Sequence, residues 1–198
     1  MTYGGNKERD SKENSFREGS NPGGRQKKIE REDKREMLLC PAYCEAEVIL
    51  AYVSYRSEVD TIGLIEQAFA DGKRVFAPKV HGDDMEFWQI DSMDDLKSGY
   101  QGIREPIESV PFNAYREEHQ VGKILMWMPG SVFDVQRHRI GYGKGFYDRY
   151  LENLGKDADI DGKLTTIALA YHCQVLAQIP DEPHDYRPDY LLTECGLI

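Results

Sequence analysis

No apolar run in this sequence approaches the roughly 18 uninterrupted residues that a membrane-spanning helix requires. The opening stretch, MTYGGNKERDSKEN, lacks the apolar core of a secretory leader, and its acids speak against an organelle transit peptide. A cytoplasmic protein is expected. Cysteine is scarce: Cys40, Cys44, Cys173 and Cys195 are the four present. The first two have a spacing that zinc tolerates, but no second local pair of Cys or His completes a site. None of the five histidines falls in an H-E-x-x-H run. Positive charge is in deficit, with 25 Lys and Arg against 35 Asp and Glu, for a net charge of −10. Nucleic-acid binding depends on neutralising phosphates, so this balance argues against it. Ten bases in residues 1–36 do not reverse the argument, because eight acids accompany them. An acidic surface of this kind is comfortable for a monomer.

What the chain does contain is organised unevenly. Residues 1–35 are rich in Gly, Ser, Asn and charged side chains and poor in apolar ones, so they bury too little to offset their ordering entropy. They read as a polar, disordered tail whose last part, RQKKIEREDKREMLL, could extend into a helix. Residues 36–198 read as one α/β domain. EVILAYVSY is β-rich and mostly apolar, hence a buried strand. DTIGLIEQAFADG carries a one-sided stripe of Ile62, Leu64, Ile65, Ala68 and Phe69 and then Gly72 as a stop. RVFAPKV and MEFWQI flank HGDD and predict a hairpin. Asp91 to His119 shows no clear period and reads as short helix and loop. KILMWM is a strand, FYDRYLENL a helix, and TTIALAY and DYLLT two further strands. Strands separated by helices imply an open, mostly parallel sheet covered on both faces, without internal repeats.

Ligands of such sheets bind at the carboxyl ends of the strands. There stands the most unusual run of the chain, MPGSVFDVQRHRIGYGKGFYDRYL, residues 128–151. Gly141, Gly143 and Gly145 alternate, with Lys144 between the last two. Glycine admits left-handed backbone and lets main-chain N–H groups approach an anion. A helix starting near Phe146 turns its positive end to the same place. Arg137, Arg139 and Lys144 add full charges. The spacing is neither G-x-G-x-x-G nor a Walker A loop. A plain flexible loop therefore competes with phosphate binding, and the flanking bases favour the latter. Asp148 either stabilises the first turn of that helix or takes Mg²⁺. Asp185, in I-P-D-E-P-H-D-Y, is a second loop acid whose meeting with Asp148 spacing alone does not establish. Glu58, after the first strand, is either a solvated acid beside a helix cap at Asp60 or Thr61, or a carboxylate gripping an N–H-bearing heterocycle.

The run from Met128 to Leu151 resembles the signature of the 5-formyltetrahydrofolate cyclo-ligases. Y-V-S-Y-R-S-E-V-D-T looks like that family's first strand and substrate loop, G-I-R-E-P like its mid-chain loop, and A-L-A-Y-H-C-Q-V-L-A-Q-I-P-D-E-P-H-D-Y-R-P-D like its C-terminal run. The match covers roughly residues 37–198. The resemblance implies a three-layer α/β/α sheet of Rossmann-like, NagB/RpiA-like arrangement. It implies that Arg139, Ile140, Gly141, Tyr142, Gly143, Lys144, Gly145, Phe146 and Tyr147 line an ATP site. Tyr142 through Phe146 would also border the folate, Glu58 and Val53 would contact the reduced pterin, and Asp148 and Asp185 would bind Mg²⁺. The implied activity is ATP-dependent closure of 5-formyltetrahydrofolate to 5,10-methenyltetrahydrofolate, with Lys144 and Arg139 neutralising charge. Family members open with a basic K-x-x-x-R-like helix that reaches ATP. Lys27 and Arg31 have this spacing, but the chain between them and Ile49 is shorter than expected. A non-catalytic folate- or nucleotide-binding homologue is the alternative that this front end suggests.

Overall fold

A computed structural model describes residues 34–198. Most of the expected tail, Lys27 and Arg31 included, lies outside the described residues. Residues 34–39 are helical, and a one-turn helix α1 (Pro41–Glu45) follows, its first turn held by the Cys40 sulfur accepting Tyr43 N–H.

Seven strands form the central sheet. In chain order they are β1 (Val48–Leu50), β2 (Arg74–His81), β3 (Asp84–Ile90), β6 (Ile124–Met128), β9 (Leu164–Leu169), β11 (Tyr190–Thr193) and β12 (Gly196–Leu197). Across the sheet they run β12-β11-β9-β6-β1-β2-β3. The five inner strands are parallel, and the outer pairs β2–β3 and β11–β12 are antiparallel. Every residue of β6 is buried, which is the signature of a strand covered on both faces. Its side chains alternate: Leu125 and Trp127 join one core cluster, while Ile124, Met126 and Met128 join the other. The first cluster also takes Leu64, Ile65 and Ala68 from α2 (Ile62–Ala70), the helix that carries the chain from β1 to β2 and stops at left-handed Gly72. The second takes Leu151 and Leu154 from α4 (Phe146–Leu154) and Phe112 from α3 (Phe112–Glu118).

The expected hairpin is present, with Gly82 left-handed in its turn. Three expectations change. The first strand is shorter than EVILAYVSY: its ladder ends at Leu50, and the chain then stays extended because Thr61 Oγ1 donates to Tyr52 O and accepts from Ser54 N. Residues 91–119 contain a small hairpin, β4 (Leu96–Ser98) and β5 (Arg104–Pro106), tied to β2 by Glu105 accepting from Val80 N. The glycine-rich stretch is not all loop. β7 (Val132–Asp134) and β8 (Arg139–Ile140) pair as a hairpin, and β10 (Val175–Leu176) adds to β7. Strands of two or three residues are too short to show a period.

From β1 the chain first builds outward through β2 and β3, then returns to place β6, β9 and β11 on the other side. The strand order therefore reverses between β1 and β6, the kind of switch point at which open α/β sheets form a ligand crevice at the carboxyl ends of their strands. Among the described residues no helix is long and apolar enough to cross a membrane.

Candidate active site

One wall of that crevice follows β1. Glu58 lies there, half-buried, with its Oε2 accepting Tyr55 N–H at 2.7 Å. Burial pushes its carboxyl above the ordinary value, against the opposing pull of the Tyr55 amide and the Tyr142 hydroxyl. Thr61 is the residue before α2 but makes no side-chain cap; Asp60 Oδ1 accepts Ile62 N–H instead. Val53 is buried within the first core cluster.

The other wall follows β6. Gly130 is required by contact, since a Cβ there would stand 2.4 Å from the Phe133 ring. Asp134, fully buried, then organises the β7–β8 turn. Its Oδ1 accepts the amides of Gln136 (2.9 Å) and His138 (3.0 Å), and its Oδ2 accepts His138 Nδ1 (2.8 Å) and the Ile179 amide (3.2 Å). Burial raises this carboxyl, but these hydrogen bonds outweigh it and hold the group below its usual range. From Ile140, the last residue of β8, the chain exposes Ile140, Tyr142, Gly143 and Lys144, with Gly141 and Gly145 half-covered. Gly143 (φ 80°) and Gly145 (φ 62°) are left-handed, and Gly145 is the residue from which α4 starts.

Arg139 does not extend into solvent. Its Nη2 donates to Asp148 Oδ1 at 2.7 Å, with the arginine side chain only 5% exposed, and its guanidinium lies over the Tyr147 ring. The Tyr186 amide donates to the same Oδ1 at 3.2 Å, so the segment carrying Asp185 runs beside Asp148. Asp148 Oδ2 faces the glycine loop, 4.0 Å from where a Cβ on Gly145 would be. Asp185 is exposed, and its Oδ2 accepts the Glu182 amide.

The two walls meet through tyrosines. The Glu58 charge is felt by Tyr52, Tyr142 and Tyr147. Tyr142 bridges directly: burial, then the Glu58 carboxylate and its hydrogen bond, push its hydroxyl up to about 12. Tyr147 packs against both core clusters, and its buried hydroxyl has no partner among the described residues. Glu58, Tyr142, Tyr147, Arg139 and Asp148 are thus one constellation, with Lys144 and Phe146 on its rim. Sequence reading missed Asp134, His138, Tyr52 and Arg149. For Asp134 the signal was available, an acid inside the apolar V-F-D-V with a histidine four residues on. Two cavities lie elsewhere. A groove of about 620 Å³ follows the outer edge of β3, touching the loop only through Phe146 and Arg149, and a hollow of about 350 Å³ sits beside Glu47, Lys73 and Arg74.

Comparison with known proteins places the chain in a family. The model of the 5-formyltetrahydrofolate cyclo-ligase family matches residues 14–194. The mouse (Mus musculus) 5-formyltetrahydrofolate cyclo-ligase is 30% identical over 159 residues, which span 77% of this chain and 75% of that protein. The enzyme of the same name from Escherichia coli K12 is 29% identical over 153 residues, 75% of this chain and 79% of the relative. The solution structure of 5,10-methenyltetrahydrofolate synthetase from Aquifex aeolicus superposes with a TM-score of 0.70 at 26% identity, covering 88% of this chain and 82% of that one.

Proposed function

The chain belongs to the 5-formyltetrahydrofolate cyclo-ligase family, and from that premise we propose how its crevice carries out the ATP-dependent closure of 5-formyltetrahydrofolate to 5,10-methenyltetrahydrofolate. The observation that carries the reading is the left-handed glycine loop at the start of α4, facing Glu58 across the crevice. The formyl oxygen of the folate attacks the γ-phosphorus of ATP, the bond to the β-phosphate oxygen breaks, and ADP leaves. The formyl carbon now bears a phosphate, a good leaving group. The neighbouring anilino nitrogen adds to it, loses its proton, and inorganic phosphate departs as the ring closes.

Neither stage needs a protein nucleophile. Phosphoryl transfer asks for position and charge neutralisation, and ring closure is intramolecular, so alignment governs it. The amides of residues 141–146 suit the phosphates, and exposed Lys144 brings a mobile positive charge to them. Arg139 contributes its charge from behind Asp148. Glu58, a carboxylate with one oxygen already fixed by Tyr55, suits the N–H groups of the pterin, and the surrounding tyrosine rings suit its flat face.

Mg²⁺ fits the same place. Arg139 and Tyr186 occupy Asp148 Oδ1 and leave Oδ2 towards the loop, and one or two carboxylates beside substrate phosphates are the usual donor set of this ion. Asp148 and Asp185 would hold it, and it would supply neutralisation of the phosphate oxygens. The family match begins at residue 14, so it takes in Lys27 and Arg31 and supports their reading as further ATP contacts. Free thiols at Cys44, Cys173 and Cys195, all exposed, suit a reducing cytoplasm, and the net charge of −10 suits a soluble monomer that takes no nucleic acid.

The test is direct. With Mg-ATP and 5-formyltetrahydrofolate, the purified chain should generate the methenyl chromophore, and Lys144→Ala should slow it on the order of 100- to 1,000-fold without lowering Tm. Folded protein that binds both ligands yet shows no absorbance rise would refute the reading.

A further inference from the structure

Arg149 stands one turn into α4, and its guanidinium reaches back past the start of the helix. Nη1 donates to the Lys144 carbonyl at 2.7 Å, and Nη2 donates to the carbonyl of Asp83 in the β2–β3 turn. The same group lies 5.4 Å from the centre of the Phe146 ring. A Cβ on Gly145 would stand 3.0 Å from Nη1, so the guanidinium fills the space that any side chain at 145 would need. Gly145 is favoured by its φ of 62°, and a side chain there would also crowd this guanidinium.

The consequence lies in the peptide plane. A trans peptide is flat, with its C=O and N–H pointing in opposite directions. By pulling the Lys144 carbonyl towards itself, Arg149 turns the Gly145 N–H the other way. That amide lies at the helix start, where N–H groups lack intrahelical acceptors. We propose that Arg149 is a positioning residue: it fixes the Lys144–Gly145 peptide so that the Gly145 N–H faces the nucleotide phosphates, and it braces that peptide against the β2–β3 turn. Arg149 touches no substrate. The inference rests on the glycine loop being the phosphate site.

Arg149→Met keeps an unbranched apolar side chain at the position and removes both hydrogen bonds together with the guanidinium over Phe146. The expected result is a rise in the KM and Kd for ATP of roughly tenfold, about what one hydrogen bond from a charged donor is worth. The KM for the folate should stay within about twofold, since no bond to the Glu58 wall is lost. Arg149→Lys, which keeps the charge but lacks the planar fork that meets both carbonyls, should fall between. In the wild type the Gly145 amide resonance should shift on adding ADP, and in Arg149→Met the shift should shrink. An ATP affinity within twofold of wild type in either folded variant overturns the proposal, as does an equal rise in KM for both substrates. Because Kd is measured without turnover, an inactive wild type that still binds ATP would sink the proposed reaction and leave this inference to be judged on binding. A wild type that binds no ATP overturns both.

Discussion

Replacing Asp134 with alanine removes an acceptor from four donors at once: the Gln136, His138 and Ile179 amides and His138 Nδ1. The Ile179 amide is buried and would be left unpaired, which costs about 1–3 kcal/mol, and the charged bond to His138 adds about 1.5–3. The other two amides are partly buried and regain water in part. These contributions overlap, so the expected loss is about 3–5 kcal/mol. For a domain of this size each kcal/mol lowers Tm by about 2–4 °C, so a fall of roughly 6–20 °C should appear in thermal melts at pH 7. The Asp134 pKa is lowered on folding, so its stabilisation is present above the unfolded carboxylate value and disappears as pH falls through the folded one. The difference between wild type and variant should therefore narrow below about pH 4. A Tm fall of less than about 3 °C, or a gap that persists unchanged through acid, would refute the claim that this carboxylate anchors the loop.

Two further outcomes are expected. Glu58 has the opposite sign: its folded pKa is raised, so the ionised form costs stability as pH rises above the unfolded carboxylate value. Glu58→Gln should melt higher than wild type at pH 7 and equally at pH 3, while its folate KM rises at least tenfold; a lower Tm at pH 7 would show that the carboxylate stabilises the fold. Asp148→Asn and Asp185→Asn should each raise the Mg²⁺ concentration needed for half-maximal rate, with a Tm cost confined to Asp148, whose partner Arg139 is almost fully buried. An unchanged magnesium profile in either variant would remove that residue from the metal.

Much of the frame was legible because it rests on long apolar signals. Ile-Leu-Met-Trp-Met can only be a covered strand, the H-G-D-D turn needs a glycine where Gly82 is left-handed, and Phe146 does begin the helix that the glycine spacing announced. The site was legible in composition and not in geometry. Arg139 was read as a charge lining the ATP site, and what the sequence did not show is that its guanidinium pairs with Asp148. Nothing local says that a residue nine positions away will capture a guanidinium. The β7–β8 turn depends on Arg137 adopting φ 70°, a conformation its side chain does not advertise, and on the distant Ile179 amide. The meeting of Tyr142 with Glu58 follows from the strand order, which brings β1 and β6 together.

The small sheet of β10, β7 and β8 is built from strands of two or three residues and is clasped by Asp134 and by Gln174, whose side chain donates to the Ser131 carbonyl. It shares no ladder with the seven-stranded sheet. Amide hydrogens in the glycine-rich loop can thus exchange through local opening of this clasp, well before those of β6 or β9 are released by global unfolding. Two tiers of exchange protection in one domain would let the loop open and reclose around nucleotide while the scaffold beneath it stays intact.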